Sequence, residues 1–149
     1  MPAMNSDIIE ILNDEQIRLC FPAIQALRPH LDLESALDQI PRQRAQGYRL
    51  FGVSMHNDLG EQQIPSIIGF RYGEFLAWGK IIYIDDLSTV ETARGLGHAS
   101  LLLDHVVHIA RELCCQAVHL DSGYARQAAH RLYLNKGFVL SSHHFALAL

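Results

Sequence analysis

The chain has 149 residues, 49% of them hydrophobic, and a formal net charge of −4. A chain of that length buries about 68–70% of its unfolded surface, so one domain spanning the whole chain is expected, with no need of a disulfide or metal to fold. The acidic balance and the lack of any basic run argue against a nucleic-acid partner.

The start, MPAMNSDIIEILNDEQ, carries no basic leader region, and the longest apolar run, Ser100–Ala110, is broken by Asp104, His105 and His108. No membrane span is therefore expected. Cys20, Cys114 and Cys115 form an odd set with two adjacent members. They read as reduced thiols of a cytoplasmic protein rather than a disulfide framework. No repeat, low-complexity tract or Pro/Gly/Ser linker divides the chain.

In chain order, DIIEIL (7–12) reads as a first strand. Asn13 followed three residues later by Gln16 has capping-box spacing and opens a helix across DEQIRLCFPAIQALRPH, with Pro22 a candidate break. Asp32 caps a second helix through LESALDQIPRQRAQ, with Pro41 in its middle and Gly47 at its end. From Tyr48 the period changes. YRLFGVSMH (48–56), the turn set NDLGEQ, IPSIIGFRY (64–72) and KIIYIDDLST (80–89) read as an antiparallel series of strands.

Helical spacing returns after a glycine loop, with Leu102, Val106, Ile109, Ala110 and Leu113 on one face and Ser100, Asp104, His108, Arg111 and Glu112 on the other. AVHLDS (117–122) is a strand, ARQAAHRLYLNK (125–136) a helix stopped by Gly137, and FVLSS and HFALAL two closing strands. The order βαα-βββ-α-β-α-ββ defines an α/β domain whose mixed sheet is antiparallel early and parallel around the central helix.

The loop ARGLGHA (93–99) lies between a strand and a helix. A helix N-terminus leaves about four N–H groups without intrahelical partners and carries a partial positive charge. Gly95, Gly97 and Ala99 let an anion approach that backbone, Arg94 adds a fixed charge, and the donors run from about Leu96 through His98 to Ser100. A diphosphate fits such a loop, and so does a plain turn. The P-loop pattern is absent, and Gly95-x-Gly97 is followed by Ser100 where a dinucleotide fingerprint needs glycine.

Arg94-x-x-Gly97-x-Ala99 resembles the [Q/R]-x-x-G-x-[G/A] pyrophosphate loop of the GNAT superfamily of acyl-CoA N-acetyltransferases. AHRLYLNKGF (129–138) is similar to that family's A-x-x-x-Y-x-x-x-G-F element, with Tyr133, Gly137 and Phe138 in place. The element order matches over nearly the whole chain. One position departs: Arg126 stands where many relatives have asparagine seven residues before the tyrosine.

The resemblance implies a single GNAT-like domain in which strands 80–89 and 117–122 splay apart. It implies acetyl-CoA as acetyl donor, with its pantetheine arm added as a strand along Leu87, Ser88 and Thr89 and its pyrophosphate on residues 94–100. A backbone N–H near Leu87 would face the thioester oxygen. Tyr133 would be the general acid for the departing thiolate, against a core-packing reading of its ring. Asp85 or Asp86 would be the general base or amine anchor, against pairing with an arginine for structure. Adjacent on one strand, the two carboxylates are expected on opposite faces. Tyr83, on the face of Asp85, and Asp121 are candidate substrate contacts.

His130 could relay a proton, while His105, His108, Cys114 and His119 have no zinc spacing, so no metal is expected. Cys114 and Cys115 read as core. Acceptor choice is expected from ALRPHLDLESAL, RYGEFLAWG and SSHHF, where Tyr72, Phe75 and Trp78 form either an apolar or cation-binding wall or core; acidic residues there would suit a polyamine or lysine-like amine, and Arg28 or Arg49 a carboxylate-bearing one. The function so implied is acetyl transfer to a small-molecule or peptide amine, with a homodimer common in such a family. The alternatives are a non-catalytic acyl-CoA-binding module and a metabolite-binding domain without CoA.

Overall fold

The computed structural model describes residues 6–149; the first five, on which part of the leader reading rests, lie outside the described residues. The elements are β1 (Asp7–Glu10), α1 (Asp14–Leu27), α2 (Leu33–Ala45), β2 (Tyr48–His56), β3 (Gln62–Phe75), β4 (Gly79–Thr89), a 3-10 turn (Glu91–Ala93), α3 (His98–Glu112), β5 (Ala117–Leu120) and α4 (Gln127–Asn135). The chain divides into two compact units, one ending at His119 and one spanning Leu120–Leu149.

Local chemistry sets the two N-terminal helices. Asn13 Oδ1 accepts the Gln16 N–H at 2.9 Å, and Gln16 Oε1 accepts the Leu12 N–H at 2.7 Å, a reciprocal cap. Asp32 caps α2 through the Ser35 N–H at 2.7 Å. Both helices run through their prolines, since a lost N–H removes one bond while the apolar face on either side stays packed. In α1 that face is Ile17, Cys20, Ala23 and Ile24, and in α2 it is Ala36 and Ile40.

The sheet has the order β1-β2-β3-β4-β5, antiparallel through β4 with β5 parallel beside it. Alternation along β2 sends Tyr48 and Leu50 into the core shared with α1 and α2, while Phe51 turns the other way, stacked on Phe70 at 5.7 Å and 5.0 Å from His105 of α3. Helix α3 buries Leu102, Leu103, Val106, Ile109 and Ala110 against this second face. Leu113 belongs to the helix cap instead and is exposed, and Cys114 beyond it is exposed too, with φ of 56°. The expected core placement of that cysteine is therefore incorrect, because a C-terminal turn in left-handed backbone carries its side chain away from the helix's apolar stripe.

In the second unit α4 ends in a paired-bond cap. Gly137, with φ of 92°, donates to the Leu134 carbonyl at 3.1 Å and Phe138 to the Tyr133 carbonyl at 3.0 Å. The two closing strands expected at FVLSS and HFALAL do not form: residues 138–149 have no regular secondary structure. Apolar alternation satisfies a strand's side chains, but a strand also needs a partner ladder for its backbone groups, and a one-dimensional pattern does not report that partner.

Candidate active site

Gly97 is the N-cap of α3 in left-handed backbone, and no side chain caps that end. Gly95 and Gly97 have φ of 76° and 83°, values that disfavour any side chain, and a Cβ added to either would meet nothing within 4 Å. The backbone at the start of α3 thus faces open space with its N–H groups uncapped. Leu96 and the Arg94 side chain are exposed, while Ala99 and Ser100 are half-buried. His98 is buried, and burial lowers its pKa, so the helix start carries a neutral imidazole. Residues 94–100 fit a diphosphate by this geometry: backbone donors, a helix N-terminus, a nearby guanidinium and no side chain in the way.

The end of β4 presents a matching edge. Val90 N–H donates to the Pro65 carbonyl and the Ser88 carbonyl accepts from Ser66 Oγ, both toward β3. Alternation then turns the backbone groups of Leu87 and Thr89 toward the opposite edge. Strand β5 has 4 residues against the 11 of β4, and the residue before it, Gln116, donates to the Lys80 carbonyl. Its ladder therefore ends well short of Leu87. The Ser88 hydroxyl is taken up inside the protein, donating to the Ala23 carbonyl at 2.6 Å, and Arg94 Nε reaches the Thr89 carbonyl at 3.4 Å.

A register shift decides the carboxylates. Gly69 pairs with Asp86 but Phe70 pairs with Ile84, so Asp85 is the extra residue of a β-bulge. The bulge cancels strict alternation, and both carboxylates line one pocket together with Tyr83, which corrects the expected opposite-face placement. The pocket has a volume of about 440 Å3 and lies between the sheet and α1–α2, with Leu27, Leu31 and Ile40 on its apolar wall.

Both acids are paired. Arg71 holds Asp85 through Nε at 3.1 Å and Nη2 at 2.6 Å. Arg28 holds Asp86 Oδ1 through Nε at 3.1 Å and Nη2 at 2.9 Å, and Nη2 also reaches the Asp85 carbonyl at 3.0 Å. The Tyr48 hydroxyl donates to Asp86 Oδ2 at 2.7 Å. Burial, reinforced by Asp86, pushes the Tyr48 phenol well above its ordinary value, so it remains a donor. The hydrogen bond from Arg71 to Asp85 raises the pKa of that guanidinium further.

Tyr48 and the bulge were not singled out as site features by sequence reasoning. Tyr48 bore only a strand-start signal, and Arg71 fell both at the end of the expected strand 64–72 and in the segment RYGEFLAWG expected to set acceptor choice. The segment 26–37 does line the pocket, through Leu27, Arg28, His30, Leu31 and Ala36. Phe75 and Trp78 pack on each other at 5.4 Å but stay half-exposed, as does Tyr72, and none of the three lines this pocket.

In the second unit, burial pushes the Tyr133 phenol up, with the Arg126 charge pulling the other way. Tyr133 also packs on Phe138 at 5.8 Å. Asp121 Oδ1 lies 3.6 Å from His144 Nδ1, and His130 Nε2 lies 2.8 Å from the Gly123 carbonyl. Among the described residues no His, Cys, Asp or Glu cluster could hold a metal ion, and no helix is long and apolar enough to cross a membrane.

A mixed sheet with a short β5 parallel to β4, a glycine-rich turn at the start of α3 and a pocket against β4 together define an acyl-transfer scaffold. The sequence model of the acetyltransferase (GNAT) family matches residues 12–138, and the chain belongs to that family of acyltransferases. It is 28% identical over 138 residues to the uncharacterized N-acetyltransferase YhdJ of Bacillus subtilis (strain 168), covering 91% of this chain and 94% of that one. An acetyltransferase of Trypanosoma brucei shares the fold with a TM-score of 0.78 at 19% identity, covering 97% of this chain and all of the other. The aminoglycoside N-acetyltransferase AAC(6')-Iy, solved in complex with CoA, does so with a TM-score of 0.81 at 12% identity over 100% of this chain and 98% of its own.

Proposed function

We propose that the protein transfers the acetyl group of acetyl-CoA to a primary amine by direct attack. The observation that carries this reading is the uncapped, unobstructed N-terminus of α3 at Gly95–Ser100, beside a strand end whose Leu87 and Thr89 edge lies past the β5 ladder. Family membership and the neighbour solved with CoA support it. Residues 94–100 hold the pyrophosphate, and Leu87, Ser88 and Thr89 hold the pantetheine arm as an added strand.

Bound acetyl-CoA supplies a thioester whose carbonyl carbon accepts the amine nitrogen. The Leu87 N–H stabilises the charge that develops on the carbonyl oxygen. Asp85 or Asp86 anchors the amine and takes up its proton, directly or through water; each retains lone pairs beyond its arginine bonds. Tyr83 and Asp121 contact the acceptor. Tyr133 gives its proton to the departing sulfur as the carbon–sulfur bond breaks, and its raised pKa keeps that proton in place at neutral pH.

The experiment is a thermal shift with 1 mM acetyl-CoA on wild type, Arg94→Glu and Tyr133→Phe, followed by CoA-thiol release with an amine panel. Stabilisation of wild type and Tyr133→Phe but not Arg94→Glu, with turnover in wild type, is expected. Stabilisation without turnover of any amine would make the chain a non-catalytic acyl-CoA-binding module. No shift at all removes acetyl-CoA from the account.

A further inference from the structure

Helix α1 delivers Arg28 to the rim of the 440 Å3 pocket at its C-cap, with the side chain 44% exposed. Two of its three nitrogens are spent on β4: Nε on Asp86, and Nη2 on Asp86 and on the Asp85 carbonyl. Nη1 makes no hydrogen bond to the described residues. The guanidinium is thereby held by its Nε–Nη2 edge, which leaves the two Nη1 N–H groups on its other side to serve a ligand of the pocket that Arg28 lines.

The charge balance points the same way. The pocket's two carboxylates are paired with Arg28, which lines it, and with Arg71, which reaches Asp85 from outside the lining; the lining otherwise brings His30 and no lysine or glutamate. An acceptor with only ammonium groups would leave uncompensated positive charge in a partly dry site, which is costly. A zwitterion would not: its ammonium meets Asp85 and Asp86, and its carboxylate meets Arg28. The wall of Leu27, Leu31 and Ile40 then faces the remaining part of the acceptor.

We infer that the acceptor is an amine that also bears a carboxylate and an apolar side chain, in the manner of a free amino acid, and that Arg28 Nη1 binds that carboxylate. The inference rests on the acetyl-transfer reading above and deepens it. Arg28 is thus a specificity determinant as well as the partner of Asp86.

The test pairs leucine, methionine and phenylalanine with their amides as acceptors for acetyl-CoA, read as CoA-thiol release, in wild type and Arg28→Gln. At least one free acid should exceed its amide in kcat/KM by about tenfold or more, the weight of a charged hydrogen bond. Arg28→Gln should bring that ratio toward one. A merely structural Arg28 would depress both members of a pair and leave the ratio where it was, which would overturn the inference. So would amides that match or outperform their acids in every pair, a stringent comparison because the amide's amine loses its proton more readily. No turnover of any free acid by a protein that acetyl-CoA stabilises overturns the inference alone. No stabilisation by acetyl-CoA and no turnover overturns the acetyl-transfer reading, and this inference with it.

Discussion

The Tyr48 hydroxyl occupies the space that a side chain at position 69 would need: a Cβ built on Gly69 would lie 1.7 Å from Tyr48 Oη. Gly69 is the residue paired with Asp86 at the edge of the bulge, and Tyr48 crosses it to reach that carboxylate. The glycine is required for room rather than for backbone conformation, and the room is what lets a tyrosine from β2 orient an acid on β4.

Gly69→Ala therefore expels the Tyr48 ring from its bond to Asp86. The expected result is a stability loss of about 1–3 kcal/mol from overpacking, read by urea unfolding, together with a raised KM for the acceptor. Unchanged stability and kinetics would show that the ring and its bond are not needed.

The reciprocal cap at the start of α1 gives a separate stability prediction. Asn13→Ala removes the acceptor for the Gln16 N–H and should cost about 1 kcal/mol. For a domain of this size that lowers Tm by about 2–4 °C, while acetyl-CoA affinity stays unchanged because the cap lies outside the α3 loop.

Burial lowers the pKa of both His98 and His105 below the usual 6.5. In the unfolded chain these imidazoles take up protons near pH 6.5, and in the folded protein only at lower pH, so stability falls as pH drops through 6.5 and levels off below the folded values. The double variant His98→Gln/His105→Gln should flatten the fall in Tm between pH 7 and pH 5 relative to wild type. An identical slope in the two proteins would contradict the burial argument.

With Tyr133 as the acid, activity needs its protonated form, and its pKa is raised by burial. The alkaline limb of kcat attributable to Tyr133 should then lie above the ordinary tyrosine value of about 10. Tyr133→Phe should abolish that limb and lower kcat by about 10²-fold or more. A variant that keeps wild-type kcat would return Tyr133 to a packing role.

Much of this molecule is written locally. The helix caps at Asn13, Asp32 and Gly137, the strand at 48–56 and the turn at Gly95–Gly97 all depend on residues within a few positions of one another, and each appears in the structure where its residues imply. The pairing of Asp86 is of another kind. Its partners come from 58 and 38 residues away, Arg28 at a helix end and Tyr48 at a strand start. Neither position carries a signal that names its partner.

The sequence by itself determined the element order as far as α4, the glycine turn before α3 and the motif around Tyr133, because backbone geometry and capping are short-range properties. Only the tertiary structure decided that Asp85 and Asp86 share a face and that residues 138–149 form no strand. A bulge arises from the register of two strands against each other, and a strand from an edge that will pair with it. Both are relations between segments, settled when the sheet closes on its helices.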